Sequence, residues 1–249
     1  MAFIQAGFFS ETLQLACSAD VLIPERGAAG KPRVLYLLHG LSDDHTMWQR
    51  RTSIERYADA YGLCVIMPAV ERSFYTDMAD GGRFWTYVSE ELPAIMSRMF
   101  NISGRREDTF VAGLSMGGYG AFKLALRQPE RFAAAASLSG VLDLRGHIMH
   151  GGENTIKPEM RRIFGHDGCD MDASEDLVRV MEANMREHVQ IPRLYACCGR
   201  QDFLYQCNLD FIAAAKKLGV DVAFTENEGT HEWGYWDVMI QDALRWMLG

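Results

Sequence analysis

The chain has 249 residues, 48% of them hydrophobic and 23% charged, which is the composition of a globular protein large enough to bury a sizeable core. Its formal charge at pH 7 is −8, from 25 Lys and Arg against 33 Asp and Glu. We therefore expect neither a nucleic-acid partner nor an anionic membrane, because both bind clustered basic side chains. No stretch approaches the roughly 18 uninterrupted apolar residues of a membrane span.

Cysteine usage indicates the cellular compartment. The six cysteines form no C-x-x-C pair, and Cys197 and Cys198 fall inside a predicted core strand. Such thiols are expected to be buried and reduced, which favours the cytoplasm. Residues 1–7 carry no cationic leader followed by a long apolar segment, so we predict a cytoplasmic protein.

The first 100 residues alternate strand and helix patterns. Nearly continuous apolar runs such as Val34–Leu38 predict strands of a parallel sheet that is covered on both faces. Longer runs with helical spacing predict helices, and Pro93 is expected to break or bend one of them. The predicted elements are strands over 3–9, 12–23, 34–38 and 63–67, helices over 47–61 and 85–100, and a long loop over 70–83.

The rest of the chain continues this alternation. Residues 132–138 are rich in alanine, but their position between Pro129 and Ser139-Gly140 predicts a buried strand. Residues 141–191 mix His, Met, Gly, Asp and Glu, and we predict that they form a small cap with amphipathic fragments at 157–164 and 175–186. The other predicted elements are strands over 193–198 and 220–225 and helices over 209–218 and 236–248.

Strands that alternate with helices predict an α/β fold. We expect a doubly wound, mostly parallel sheet with helices on both faces. Since no repeat or low-complexity segment interrupts the pattern, residues 1–249 are predicted to form one domain that carries the cap insertion at about 141–191.

A Gly-x-Ser-x-Gly motif lies at residues 113–117, between an apolar run and an Ala- and Leu-rich run with helical spacing. Strand, motif and helix in this order are typical of a nucleophile elbow. Gly113 and Gly117 allow the strand and the helix to approach closely, and Ser115 is the predicted nucleophile. The N–H of Met116 would lie at the helix N-terminus, where it suits a developing oxyanion.

A serine nucleophile needs a base and an acid, which follow it in the order acid then histidine in elbow-bearing folds. His231 is the best candidate base, because it lies in the loop between the last predicted strand and the last helix. Asp202 follows the strand 193–198 and is the best candidate acid. The segment Phe203-Leu204-Tyr205 is expected to return to the core. Asp143 is the rival acid, and a helix N-cap is the alternative role for Asp202.

The loop after Val34–Leu38 is expected to supply a second oxyanion donor. Gly40 allows the backbone to turn its amides toward a pocket, and the N–H of Leu41 is the candidate. His39 is interpreted as a structural hydrogen-bonding residue beneath this loop. A cysteine nucleophile is the weaker alternative to Ser115.

We predict no metal and no cofactor. The sequence has no H-E-x-x-H motif, no paired-cysteine spacing and no phosphate-binding loop. Asp143, His147 and His150 form only a weak cluster of possible ligands.

Four segments together resemble the tributyrin esterase branch of the esterase D-like α/β-hydrolases, over nearly the whole chain. They are Leu37-Leu38-His39-Gly40-Leu41-Ser42, the stretch 112–120 around Ser115, Gly199-Arg200-Gln201-Asp202-Phe203-Leu204 and Thr230-His231-Glu232-Trp233. The resemblance implies an α/β-hydrolase fold and a cytoplasmic serine carboxylesterase for short acyl esters, including acetylated sugars or cinnamoyl-type esters. It also implies Ser115, Asp202 and His231 as the triad, and homo-oligomers are common in the family.

Two other functions stay open. One is an S-formylglutathione hydrolase-like thioesterase, although the loop at His39-Gly40-Leu41-Ser42 usually reads differently in those enzymes. The other is a non-catalytic binding protein with the same fold. In the esterase hypothesis the partner is a small ester, and the candidate pocket walls are Trp48, Tyr75, Trp85 and Trp233, for which core packing is the alternative.

Overall fold

The computed structural model describes residues 1–25, 30–150, 157–165 and 172–249. Its strands are β1 (Ala2–Ser10), β2 (Leu15–Ile23), β3 (Arg33–Leu38), β4 (Leu63–Pro68), β5 (Thr109–Leu114), β6 (Ala134–Leu138), β7 (Arg193–Gly199) and β8 (Val222–Asn227). They form one sheet in the order β1-β2-β4-β3-β5-β6-β7-β8. The pairs β1–β2 and β2–β4 are antiparallel and the other pairs are parallel, which confirms the predicted mostly parallel sheet.

Helices cover both faces of this sheet, as predicted. The helices are α1 (Met47–Arg51), α2 (Ile54–Ala60), α3 (Phe84–Thr86), α4 (Leu92–Met99), α5 (Met116–Arg127), α6 (Leu144–His150), α7 (Lys157–Phe164), α8 (Leu177–Arg186), α9 (Tyr205–Lys217) and α10 (Trp233–Leu248). Side chains of β5 alternate between two cores: Val111 packs with α5, whereas Phe110 and Ala112 pack with α10. None of the helices within the described ranges is long and apolar enough to cross a bilayer.

The prediction of a single helix over 47–61 is wrong, because Thr52 divides this stretch into α1 and α2. Thr52 has extended backbone angles, with φ −134° and ψ 173°. Its hydroxyl donates to the carbonyl of Trp48 at 2.6 Å and accepts the N–H of Ile54 at 3.1 Å. A threonine side chain that satisfies both groups offers the backbone an alternative to a continuous helix.

Pro93 is predicted to break or bend a helix, and the structure excludes the break, because the segment over 84–99 stays helical through Pro93. A π-helical turn over Tyr87–Glu91 joins α3 to α4, and Pro93 lies in the first turn of α4. Pro93 has no N–H to donate to the carbonyl of Ser89, four residues earlier. The guanidinium of Arg131 donates to that carbonyl instead. A distant side chain therefore satisfies the carbonyl that the proline leaves without a helical donor.

The chain between β6 and β7 contains the segment predicted as a cap. Its two predicted amphipathic fragments are helices: 157–164 is α7, and 175–186 overlaps α8. Asp176 begins α8, because its carboxylate accepts the N–H groups of Val178 and Arg179. Residues 151–156 and 166–171 of the predicted cap lie outside the described residues.

A buried ion pair ties this segment to α5. Lys123 is fully buried, and its ammonium donates to the carboxylate of Glu175, to the carbonyl of Tyr75 at 2.7 Å and to the hydroxyl of Thr76 at 2.8 Å. Arg127 donates to the other oxygen of Glu175 at 3.2 Å. Burial lowers the pKa of Lys123 to about 8, although Glu175 opposes that shift. Glu175 is therefore the main compensation for a charge held in the core.

We expect Glu175→Gln to lower the free energy of unfolding by about 3 kcal/mol, because it leaves a buried ammonium without its carboxylate. Urea unfolding at neutral pH measures this change. The control is Glu182→Gln on the exposed face of α8, with an expected change within about 0.5 kcal/mol. Equal stabilities of the two variants would show that the buried pair does not hold this segment.

Candidate active site

Ser115 occupies a strained turn between β5 and α5. Its φ of 53° and ψ of −118° are angles that a non-glycine residue rarely adopts. A Cβ on Gly113 would lie 2.3 Å from the carbonyl oxygen of Gly117, and one on Gly117 would lie 2.4 Å from that of Leu38. Only a bare Cα permits these approaches, so both positions require glycine. The predicted strand, turn and helix around Ser115 are present.

The three predicted triad side chains form one chain of hydrogen bonds. His231 Nε2 lies 3.0 Å from Ser115 Oγ, and His231 Nδ1 lies 2.8 Å from Asp202 Oδ2. Because a carboxylate oxygen accepts, we assign the proton to Nδ1, and Nε2 then accepts the serine hydroxyl. The other oxygen of Asp202 accepts the N–H of Leu204 at 2.8 Å. The carboxylate is buried and fixed, while the ring that it orients keeps 18% of its surface exposed.

Two loops that touch each other bring Asp202 and His231 together. The first follows β7 and the second follows β8. A Cβ on Gly199 would lie 2.2 Å from the carbonyl oxygen of Gly229, so the two backbones are in direct contact. The N–H of Gln201 donates to the carbonyl of Gly229 at 3.1 Å, and its side-chain oxygen accepts the N–H of Gly229 at 2.8 Å. This contact fixes the distance between the acid and the histidine.

Two aromatic rings pack against His231. Trp236 meets it edge-on with ring centres 4.8 Å apart, and the Trp236 indole N–H donates to Ser139 Oγ at 3.1 Å. Phe203 lies on another side, with ring centres 4.5 Å apart. The predicted return to the core is wrong for Phe203, which is 68% exposed, although its neighbour Leu204 is buried. An aromatic residue next to the predicted acid was the available signal for this contact.

The two predicted backbone donors belong to segments that adjoin Ser115. Met116 is the first residue of α5, and the first four N–H groups of a helix have no acceptor within it. Leu41 follows Gly40, where a Cβ would lie 3.7 Å from the Cβ of Ser115. The loop after β3 therefore passes directly beside the serine.

His39 supports that loop from within the core. It is buried, its Nδ1 lies 2.7 Å from the carbonyl oxygen of Gly40, and its Nε2 accepts the N–H of Val70 at 3.1 Å. The hydroxyl of Tyr75 donates to the His39 carbonyl at 2.9 Å. Burial lowers the pKa of His39 to about 4, so the ring is neutral near pH 7. Its neutral form alone has both the donor at Nδ1 and the acceptor at Nε2 that these contacts require.

Trp48 and Tyr75 do not line an open pocket, contrary to the prediction. Both side chains are fully buried. The indole N–H of Trp48 donates to the carbonyl of Leu38 at 3.0 Å, and Tyr75 packs so tightly against α5 that a Cβ on Gly120 would lie 2.4 Å from its ring. These side chains support the loop after β3 and the helix α5 from beneath.

Trp85 does not line a pocket next to Ser115, contrary to the prediction. The role of Trp233 as a pocket wall stays a prediction. The guanidinium of Arg127 lies 3.9 Å from the ring centre of Trp85. Arg127 is the last residue of α5, about 18 Å along the helix from Ser115. Trp233 is partly exposed and packs against Trp236, with ring centres 5.4 Å apart.

Asp143, the alternative acid, and the cysteines, the alternative nucleophiles, lie in surroundings that suit other roles. Asp143 accepts the N–H of Gly146 at 2.9 Å at the start of α6. Burial raises the pKa values of the Cys64 and Cys207 thiols to about 12, which disfavours a thiolate nucleophile at either position. Among the described residues, no three His, Cys, Asp or Glu side chains converge to hold a metal ion. The side chain of His150 lies outside what the structure describes.

The fold and its relatives define the class of protein: this is an α/β-hydrolase of the serine hydrolase type. Residues 10–247 match the family model described as "Putative esterase", and the chain belongs to that esterase family. It is 30% identical to an acetyl esterase of Caldicellulosiruptor saccharolyticus, over 99% of this chain and 98% of that one. The alternative of a non-catalytic binding protein is therefore set aside.

Two solved structures from Staphylococcus aureus are similar over the whole chain. The fluorophosphonate-binding serine hydrolase F superposes with a TM-score of 0.92 at 36% identity and covers 100% of this chain and 98% of its own. An S-formylglutathione hydrolase superposes with a TM-score of 0.88 at 37% identity and covers 100% and 99%. These relatives support an ester hydrolase.

The neutral state of His39 predicts a loss of stability in acid. The unfolded chain takes up a proton on this histidine below about pH 6.5, whereas the folded chain does so only near pH 4. The contribution of His39 to the free energy of unfolding is therefore fully present above about pH 6.5. It falls by about 3 kcal/mol as the pH drops to 4.

Urea unfolding at several pH values tests this expectation. His39→Gln is expected to be less stable than wild type at pH 7, and the difference is expected to shrink toward pH 4. The control His188→Asn changes an exposed histidine whose φ of 55° asparagine tolerates. A pH-independent difference between wild type and His39→Gln would contradict the assignment.

Proposed function

We propose that the protein is a carboxylesterase for short-chain acyl esters, with Ser115 as nucleophile, His231 as general base and Asp202 as the residue that orients the base. The hydrogen-bonded chain from Ser115 Oγ through His231 to the buried carboxylate of Asp202 carries the proposal. A serine hydroxyl is a weak nucleophile at neutral pH, and this arrangement supplies the base that it lacks.

Acylation begins when Ser115 Oγ attacks the ester carbonyl carbon and its proton passes to His231 Nε2. The carbonyl oxygen becomes an oxyanion in the tetrahedral intermediate. Asp202 stabilises the resulting imidazolium through the Nδ1–H bond. The proton on Nε2 is then given to the leaving alcohol oxygen as the bond between carbon and that oxygen breaks. The products of this half-reaction are the free alcohol and an acyl-Ser115 ester.

The backbone N–H groups of Leu41 and Met116 are proposed to hold the oxyanion. Both donors are backbone groups on elements packed against Ser115, so little reorganisation is needed as the negative charge forms. The dipole of α5 adds partial positive charge at Met116.

Deacylation repeats these steps with water as the nucleophile. His231 removes a proton from the water, the hydroxide attacks the acyl carbon, and Leu41 and Met116 again hold the oxyanion. The proton returns from His231 to Ser115 Oγ as the acyl–oxygen bond breaks. The enzyme is regenerated and the carboxylic acid leaves.

The preference for short acyl groups is supported by the acetyl esterase relative and by the resemblance of the four sequence segments to tributyrin esterases. Acetylated sugars and cinnamoyl-type esters are the candidate natural substrates. We further propose that the enzyme acts in the cytoplasm and assembles as a homo-oligomer. The compartment is supported by the free, buried thiols of the cysteines that the structure describes.

A thioesterase is the second candidate, because a solved structure named S-formylglutathione hydrolase is 37% identical to this chain. The same nucleophile, base and oxyanion donors would serve a thioester. Rates with S-formylglutathione and with a simple acetyl ester distinguish the two functions.

Hydrolysis of p-nitrophenyl acetate, butyrate and octanoate at neutral pH tests the proposal. Wild type is expected to hydrolyse acetate and butyrate faster than octanoate. Ser115→Ala is expected to lower kcat by at least ~10⁴-fold, because no other group supplies the nucleophile.

The control is Ser97→Ala, which changes an exposed serine on α4 and is expected to match wild type. Equal, slow rates of wild type and Ser115→Ala would overturn the assignment of the nucleophile. A fast octanoate reaction would overturn the short-chain preference alone.

A further inference from the structure

An open groove on the surface of the molecule is lined in part by Phe203, whose ring packs against that of His231. It has a volume of about 500 Å³ and runs between the start of α6 and the start of α9. Phe203 forms the wall nearest the histidine, and His147 lies further along with its ring centre 6.4 Å from that of Phe203. Asp143 and Asp210 contribute carboxylates to the lining. We call this feature the Phe203 groove.

The sheet order places the groove on one definite side of Ser115. β5, which leads to Ser115, lies between β3 and β6. The loop after β3 carries Leu41, one of the proposed oxyanion donors. The loops after β6 and β7 carry Asp143 and Phe203, and the loop after β8 carries His231. The groove and the histidine therefore lie on the side of Ser115 opposite to Leu41.

This placement has a consequence for a bound ester. The carbonyl oxygen has to point toward Leu41 and Met116, whereas the leaving oxygen has to lie within reach of His231 Nε2, which protonates it. The group attached to the leaving oxygen therefore extends from His231 toward the β6 and β7 side.

We propose that the Phe203 groove is the leaving-group subsite and that it selects uncharged or cationic leaving groups over anionic ones. The inference rests on the esterase function proposed above and names the substrate class of that same site. Phe203 supplies the contact surface, and the carboxylates of Asp143 and Asp210 supply the charge selection.

Phe203 is suited to contact a substrate. Its ring is 68% exposed, yet it lies 4.5 Å from the ring of His231. A large exposed apolar side chain beside the proton donor gives a leaving group a surface to pack against. Binding there covers Phe203 and holds the leaving oxygen near Nε2.

The charges of the lining favour one kind of leaving group. The lining residues that the structure describes include Asp143 and Asp210 but no lysine or arginine. Asp143 Oδ1 accepts the N–H of Gly146 at 2.9 Å, and Asp210 Oδ1 accepts the Gln206 side-chain N–H at 2.8 Å. These neutral donors position the carboxylates without cancelling their charge. A leaving group with carboxylates, such as glutathione, is repelled, whereas a sugar hydroxyl can donate to either aspartate.

Three acetyl esters with phenols of similar shape test the inference: 3-acetoxybenzamide is neutral, 3-acetoxybenzoate is anionic and 3-acetoxyphenyltrimethylammonium is cationic. All three form the same acetyl-enzyme, so kcat/KM compares the acylation step alone. Each value is divided by the rate constant for hydrolysis catalysed by imidazole, a neutral nucleophile, which corrects for the intrinsic reactivity of the leaving phenol. Rates are measured by pH-stat at low and high ionic strength.

The expected result is a normalised kcat/KM about 3- to 10-fold lower for the anionic ester than for the neutral one at low salt, with the cationic ester the fastest. High salt reduces the differences. The double variant Asp143→Asn, Asp210→Asn is expected to bring the three values together, since asparagine retains the capping bond of residue 143. Glu182→Gln on α8 is the charge control and keeps the wild-type ratios.

Phe203→Ala separates packing from charge. It is expected to lower kcat/KM for all three esters by a similar factor and to leave their ratios unchanged. The control Phe9→Ala removes another exposed aromatic ring, on β1, and is expected to match wild type.

The outcomes distinguish this inference from the esterase proposal. If wild type hydrolyses none of the three esters, the esterase function fails. If it hydrolyses all three with equal normalised kcat/KM, or if the double variant keeps the wild-type ratios, the esterase stands and the charge selection is overturned. Unchanged kcat/KM values in Phe203→Ala overturn the placement of the leaving group.

Discussion

The close approach of β5, α5 and the end of β3 around Ser115 is the constraint on which the site depends. Cβ atoms on Gly113 and Gly117 would lie 2.3 and 2.4 Å from backbone carbonyl oxygens, so neither position accepts a side chain. The same approach holds Ser115 at φ 53° and sets Met116 at the start of α5. One steric condition thus positions the proposed nucleophile and Met116 at the start of α5, and the loop that carries Leu41 passes beside Ser115 at Gly40.

The parallel sheet extends this constraint to the other residues of the site. β3, β5, β7 and β8 run in the same direction, so the loops that follow them meet at one edge. The contact between Gly199 and Gly229 then fixes Asp202 against His231. Beneath this edge, the neutral His39 and the buried Tyr75 hold the loop after β3. The buried pair of Lys123 and Glu175 joins α5 to the segment before α8.

The sequence predicted the sheet and the grouping of Ser115, Asp202 and His231, which the structure brings within hydrogen-bond distance, because both follow from simple patterns: apolar runs, the Gly-x-Ser-x-Gly motif and the order of Asp202 and His231. It did not predict features that depend on contacts between distant segments. The carbonyl that Pro93 leaves free is satisfied by Arg131, and Trp48 and Tyr75 are buried by packing. Aromatic composition alone does not separate a pocket wall from a core side chain, and the same ambiguity makes the core prediction for Phe203 wrong.

The most direct test of the account is to locate the residue that reacts with a fluorophosphonate probe. The folded protein is labelled, digested and mapped by mass spectrometry, with Ser115→Ala treated in parallel. We expect a single adduct on the peptide that contains Ser115 and no adduct in the variant, because among the residues that the structure describes this is the hydroxyl hydrogen-bonded to the His231–Asp202 pair. An adduct on another residue, or a folded wild-type protein that does not react, would contradict it.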